Sequence, residues 1–192
     1  MQTLVKPVTL KLHGVRLEPL CYSHADGLIA AVEDGKLWEI IVTSAPTPET
    51  IVPYIQQALV NPVRFAFAVI DDATNKVLGT TSYHDIMEDI RRVEIGWTWY
   101  AKSAQRTHVN TACKIMLLTH AFETLGCDVV GLRTDCLNFT SQKAIERLGM
   151  KKDGVIRHHL LRRDGTVRDT VMYSMLKDEW QDNKQRLLAR LR

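Results

Sequence analysis

The chain has little that would tie it to a special environment. It holds four cysteines, Cys21, Cys113, Cys127 and Cys136, and no two stand at CxxC spacing. That removes the usual zinc and dithiol redox signatures and leaves reduced thiols as the expectation. No run of about 18 apolar residues occurs, so no segment reads as a membrane-spanning helix. The opening stretch MQTLVKPVTLKLHG lacks an apolar core of signal-peptide length. These absences predict a cytoplasmic protein with no membrane partner. Linker-like Pro/Gly/Ser stretches, repeats and low-complexity tracts are also missing, which predicts one domain over residues 1–192. GxSxG, HExxH, Walker A and GxGxxG are absent, so the common hydrolase, zincin, P-loop and dinucleotide signatures give no lead. A net charge of +3 without an aromatic-plus-basic pattern gives no ground for a nucleic-acid partner. His158 and His159 are adjacent, point to opposite faces of a strand and cannot share one metal ion. No metal site is expected.

What is there is an ordinary globular alternation of strands and helices. Val8–Leu20 alternates weakly and reads as a strand. Ser23, with Asp26 three residues on, reads as the N-cap of a short helix that Gly35 ends. Residues 38–42 are left open between helix and strand. Thr47 and Pro48 form a cap and first-turn pair for a helix to about Leu59, with Ile51, Tyr54, Ile55 and Ala58 inward. Strands follow at Val63–Ile70, Val77–Tyr83 and Arg92–Tyr100, and Gly79 is expected at a close backbone approach. A helix capped by Asn110 runs to Leu125. Asp128–Cys136, following a strand and a crossover helix, is predicted parallel to the third of those strands. Asn138–Leu148 is a helix. Gly154–Arg162 and Val167–Leu176 form a hairpin about Arg163-Asp164-Gly165, and a charged helix covers residues 178–191. The sum is a mixed α+β domain with seven strands, mostly antiparallel, and one central parallel βαβ unit.

The stretch Val93–Thr111 organises this order. In VEIGWTWY, alternation puts Val93, Ile95, Trp97 and Trp99 on one face, and Glu94, Gly96 and Thr98 on the other. A polar loop then meets a helix whose first N–H groups have no internal partners, a ready place for a phosphate. Glu94 carries two readings. On a cleft face it is a candidate base; on a solvent face it pairs with Arg91 or Arg92. Asn138 and Ser141 suit a helix cap and first turn, and equally a ligand contact and a proton donor. Arg157, His158, His159, Arg162, Arg163 and Arg168 form a basic hairpin, either a solvated face or a recogniser of anions.

The element order, with VEIGWTWY, AQRTHVNTACK and LNFTSQKAIERLGMKKDG, resembles the GNAT superfamily of acyl-CoA-dependent N-acyltransferases. The similarity is greatest to its ribosomal-protein N-terminal acetyltransferase-like branch. That resemblance implies a GNAT-like fold in which the Glu94–Tyr100 strand and the strand ending near Asn138 splay apart. It implies acetyl-CoA as acyl donor, a primary amine as acceptor (a peptide N-terminus or a small molecule) and no metal. Backbone near Trp99 and Tyr100 would hold the pantetheine arm. Gln105, Arg106, Thr107, His108, Val109, Asn110 and Thr111 match the pyrophosphate loop, and Asn138 matches a contact to the arm. Glu94 matches a common base position, and Ser141 matches the acid position, with Tyr173 as an alternative. His108 and Asn110 stand where the family pattern has small residues, so the His108 side chain either crowds the pyrophosphate or turns outward. A homodimer through the C-terminal strands and last helix follows from family habit. A non-catalytic acyl-CoA-binding module of the same fold is the rival.

Overall fold

The computed structural model describes residues 4–191. Eight strands form one sheet in the order β1-β2-β3-β4-β5-β6-β8-β7. They are β1 (Leu10–Leu12), β2 (Val15–Pro19), β3 (Arg64–Asp71), β4 (Val77–Met87), β5 (Arg92–Tyr100), β6 (Val129–Asp135), β7 (Lys151–Leu161) and β8 (Val167–Leu176). Helices α1 (Ala25–Glu33), α2 (Ile51–Val60), α3 (Val109–Thr119), α4 (Phe139–Arg147) and α5 (Lys177–Ala189) flank it. The mixed α+β architecture is as expected, with eight strands in place of seven. The single strand expected over Val8–Leu20 is a hairpin, because His13 and Gly14 both take positive φ, 49° and 74°, and turn the chain back. Alternation alone runs through such a turn unseen.

Two apolar layers lie on the two faces of the sheet. One gathers Phe67, Val69, Tyr83, Val93, Ile95, Val130, Leu132, Val171, Tyr173 and Met175 under α3, with Trp180 and Leu187 of α5. The other gathers Leu28, Val32, Ile51, Ile55, Ala66, Ala68, Ile70 and Trp99 beneath α1 and α2. The inward set expected on α2 is buried in full, and Pro53 sits in its first turn, where its missing N–H costs nothing. Ser23 is not the cap of α1. A 3-10 turn at Tyr22–His24 precedes that helix and is capped from Cys21, whose N–H donates to His24 Nδ1 at 3.1 Å. Residues 37–39 form a 3-10 turn, and Ile40 and Ile41 are exposed.

The expected face assignment of β5 fails at one point. Thr80 pairs with Trp99 and Ser82 with Gly96, so Thr81 alone stands opposite Trp97 and Thr98. Trp97 takes φ +50°, the geometry of a β-bulge. The extra residue reverses the alternation. Val93 and Ile95 face the α3 side with Tyr100, while Trp99 joins the α1–α2 side. Gly79 lies where expected, since a Cβ there would meet the Trp99 carbonyl. The parallel pairing is also as expected, but it covers only Arg92–Glu94 against Val129–Gly131. Beyond Glu94 the two strands part.

Candidate active site

Glu94 sits at that parting. It is 4% exposed, and its neighbours are basic. Arg92 Nη2 lies 3.4 Å from Oε1, and Arg133 Nε, from β6, lies 3.6 Å from Oε2. Among the described residues Oε2 has no hydrogen-bond partner. Glu94 pairs with Arg92, as a solvent-side carboxylate would, yet it is buried. His84 stands directly across from it on β4, and Arg133 bridges to Asp85 at 2.7 Å. Burial, and secondly Arg133, push the His84 imidazole down to about 4, so it is neutral near pH 7. His84, Asp85 and Glu94 bring one ligand atom each within 4.8 Å of one another. Arg133 already spans Asp85 and Glu94, so the charges here are matched by guanidinium. Sequence reasoning missed His84 and Arg133. A β4 ending at Tyr83 hid the first, and the second emerges only from the pairing of β5 with β6.

The bulge splits the polar groups between the faces. On the α3 side Thr98 Oγ1 meets Thr81 Oγ1 at 2.8 Å and accepts from Lys114 Nζ at 2.9 Å. Lys114 is buried without a carboxylate in ion-pair reach among the described residues, and desolvation lowers its pKa to about 8. On the other side Tyr54 and Thr80 share a hydrogen bond of 2.9 Å. Arg64 donates to Tyr54 Oη at 2.9 Å and to Ser82 Oγ at 3.1 Å. Arg64 also lies 4.4 Å from the Trp97 ring centroid. Trp97 and Tyr54 open onto a groove of about 640 Å³ with Thr50, Gln56 and Gln57.

The loop after β5 is ordered by its own side chains. Gln105 Nε2 donates to the Tyr100 carbonyl at 2.9 Å, and Thr107 Oγ1 donates to Ala104 O at 2.7 Å. Arg106 takes a left-handed φ of +61°. Asn110 does not cap α3. The helix starts at Val109 with His108 at the cap position, and no side chain caps it. Asn110 lies in the first turn and accepts from the Tyr100 hydroxyl at 3.2 Å. The His108 ring turns outward onto His13, centroids 5.1 Å apart in an edge-on arrangement. Asn110 and Thr111 line a cavity of about 330 Å³ with Ala144, Arg147 and Leu148 of the α4 region and Leu187 and Arg190 of the last helix and turn.

Across the parting strands, Asn138 does cap α4, its Oδ1 accepting from Ser141 N at 3.0 Å. Ser141 is half-buried, and its hydroxyl has no hydrogen-bond partner among the described residues. Tyr173, the alternative, is buried and commits its hydroxyl to Glu146 at 3.2 Å, and burial raises its pKa.

A sheet parted at the one parallel pair among the described residues, with an uncapped helix beside the parting, defines an acyltransferase architecture of known type. Residues 15–151 match the acetyltransferase (GNAT) domain, and the chain belongs to that family. A provisionally named ribosomal N-acetyltransferase, YdaF of Bacillus subtilis (strain 168), is 35% identical over 106 residues. That match covers 55% of this chain and 57% of YdaF, so the chain spans little more than half the length of this curated relative. A provisionally named acetyltransferase from T. thermophilus superposes with TM-score 0.86 at 33% identity, over 98% of this chain and 99% of that one. A GCN5-related N-acetyltransferase from Brucella melitensis gives TM-score 0.87 at 27% identity, over 98% and 87%. The fold is that of an N-acetyltransferase. No helix among the described residues is long and apolar enough to cross a membrane.

Proposed function

We propose that the chain, as one catalytic unit, transfers the acetyl group of acetyl-CoA to a primary amine by direct attack. The observation that carries this is the pairing of an uncapped α3 N-terminus with a buried, incompletely bonded carboxylate at the strand parting. The site residues fit the donor. N–H groups from Arg106 to Thr111 and the cationic Arg147 and Arg190 of the adjoining cavity would hold its phosphates. Backbone of Trp99 and Tyr100, with Asn138, would flank the arm. Bound there, acetyl-CoA supplies an activated thioester; the protein supplies position and charge.

Glu94 takes the proton of the acceptor ammonium, directly or through a water. Its Oε2, without a hydrogen-bond partner among the described residues, supports the role, and Arg92 and Arg133 hold the side chain in place at 3.4 Å and 3.6 Å. Ser141, with its free hydroxyl, serves as the proton donor to the leaving thiolate. Arg163 shapes the acceptor side. From the β7–β8 turn it donates to the carbonyls of Trp38, Thr43 and Ala45, the last at 2.7 Å. This strap across residues 38–45 favours a slender acceptor, a small amine or a flexible peptide end, over a folded surface. A cytoplasmic location and a homodimer belong to the same reading.

The test is acetyl transfer followed by mass spectrometry, using acetyl-CoA, a panel of small amines and short peptides. Acetylated product dependent on Glu94 is expected. Tight acetyl-CoA binding without product from any amine would favour the sensing module.

A further inference from the structure

Glu94, Asp85 and Asp135 on the cleft face are each matched by a guanidinium. Arg64, on the same face without an acid among the described residues, is held by Tyr54 and Ser82, and Arg168 is left with a single threonine. Gly131, Arg133 and Asp135 of β6 stand opposite Ser174, Met172 and Thr170 of β8. These residues share the sheet face of Glu94, opposite the face under α3. Arg168 continues the same row of β8, two residues before Thr170, and pairs with Leu160 of β7. Glu94 is served by Arg92 and Arg133, and Asp85 by Arg133. Asp135 has no exposed side chain and receives Arg162 through Nε at 2.7 Å and Nη2 at 3.0 Å, a two-pronged pair.

Arg168 has no such partner. Its Nε donates to Thr170 Oγ1 at 3.0 Å. Among the described residues no carboxylate lies in ion-pair reach of it, and neither Nη has a hydrogen-bond partner. The side chain is half-buried, and desolvation outweighs the pull of Asp135, which Arg162 already holds. A guanidinium cannot shed its charge, so partial burial without a partner costs stability unless an anion arrives. The donor's phosphates do not supply that anion, because their expected seat at α3 lies on the other face. The hairpin carrying Arg168 is the one that Arg163 ties across to residues 38–45.

We infer that Arg168 is a specificity residue of the acceptor cleft, and that the acceptor is an amine that also carries a carboxylate. This deepens, and rests on, the assignment of an amine acceptor. The planar fork of Arg168 would take the carboxylate with Nη1 and Nη2 while the amine end lies toward Glu94.

The experiment uses the full chain with acetyl-CoA and paired acceptors read by mass spectrometry. One arm pairs ω-amino carboxylates with their amides, and the other pairs short peptides whose second residue is Asp or Asn. The arms distinguish a small acceptor from a peptide end. The carboxylate member of at least one arm is expected to lead in kcat/KM by about tenfold or more. R168Q should bring the ratio toward one, and R168K should restore part of it. Retained protection of R168Q by acetyl-CoA against thermal unfolding shows that the variant folds. Equal ratios in parent and R168Q, or no preference in either arm, overturn the inference and leave acetyl transfer standing. A phosphate-bearing counterpart outrunning the carboxylate overturns the choice of anion. If no amine is turned over, binding of the N-acetylated carboxylates decides. Binding lost in R168Q supports Arg168 while the transfer reading falls, and equal binding in both overturns both.

Discussion

Arg133 and Glu94 stand on neighbouring parallel strands, Nε and Oε2 3.6 Å apart, with Glu94 in the last joined pair and Arg133 two residues past Glu94's partner Gly131. Arg133 also holds Asp85 at 2.7 Å. One guanidinium therefore joins Glu94 to Asp85 at the base of the cleft. Replacing Glu94 by Gln keeps the shape and leaves Arg133 its partner Asp85. The expected result is a folded protein whose kcat falls by about a hundredfold or more, as for loss of a general base. Unchanged turnover of a competent amine in steady-state assays would remove Glu94 from the base role.

Asn110 separates helix stability from cofactor binding. Asp in its place would still accept from Tyr100 and would put a carboxylate in the first turn of α3. Helix-dipole interaction predicts a gain of about 0.3–1 kcal/mol in unfolding free energy. The same charge should repel the phosphates of acetyl-CoA and weaken its binding by about tenfold. Calorimetric titration and denaturant unfolding of N110D check the two signs separately.

Lys114 is a buried charge whose side chain bonds, among the described residues, to Thr98 alone. Its pKa falls from 10.5 to about 8 on folding. The unfolded chain therefore binds more protons between those values, and this residue's contribution to stability rises with pH across that window. At neutral pH the charged form costs roughly 3 kcal/mol, and a bond of about 1 kcal/mol to Thr98 offsets part of it. K114M should be more stable than the parent by about 2 kcal/mol near pH 7. That advantage should shrink as pH rises from about 8 to 10.5. Denaturant midpoints of both proteins at several pH values test it. A constant difference would show that Lys114 is not charged and buried.

Local signals carried the sequence reading well. The inward stripe of α2, the Asn138 cap and the order of strands about the βαβ crossover depend on neighbours a few residues away. The bulge at Trp97 depends instead on Thr81 across the ladder, and alternation continued past it. The His13–Gly14 turn was lost the same way. His108, the residue most at odds with a phosphate loop, packs its ring on His13, 95 positions away in the sequence. Arg168 read as one cation in a basic hairpin. Its distinction, that Arg162 and Arg133 have acids and it has none among the described residues, exists only once β6 and β8 are side by side.

The central claim is that the strand parting and the α3 N-terminus form a seat for acetyl-CoA. Thermal unfolding of the full chain against increasing acetyl-CoA tests it most directly. Binding predicts a melting temperature that climbs with ligand. At a hundredfold excess over Kd the stabilisation is about 2.7 kcal/mol, a rise of roughly 5–10 °C. A melting temperature unmoved at millimolar acetyl-CoA would contradict the account.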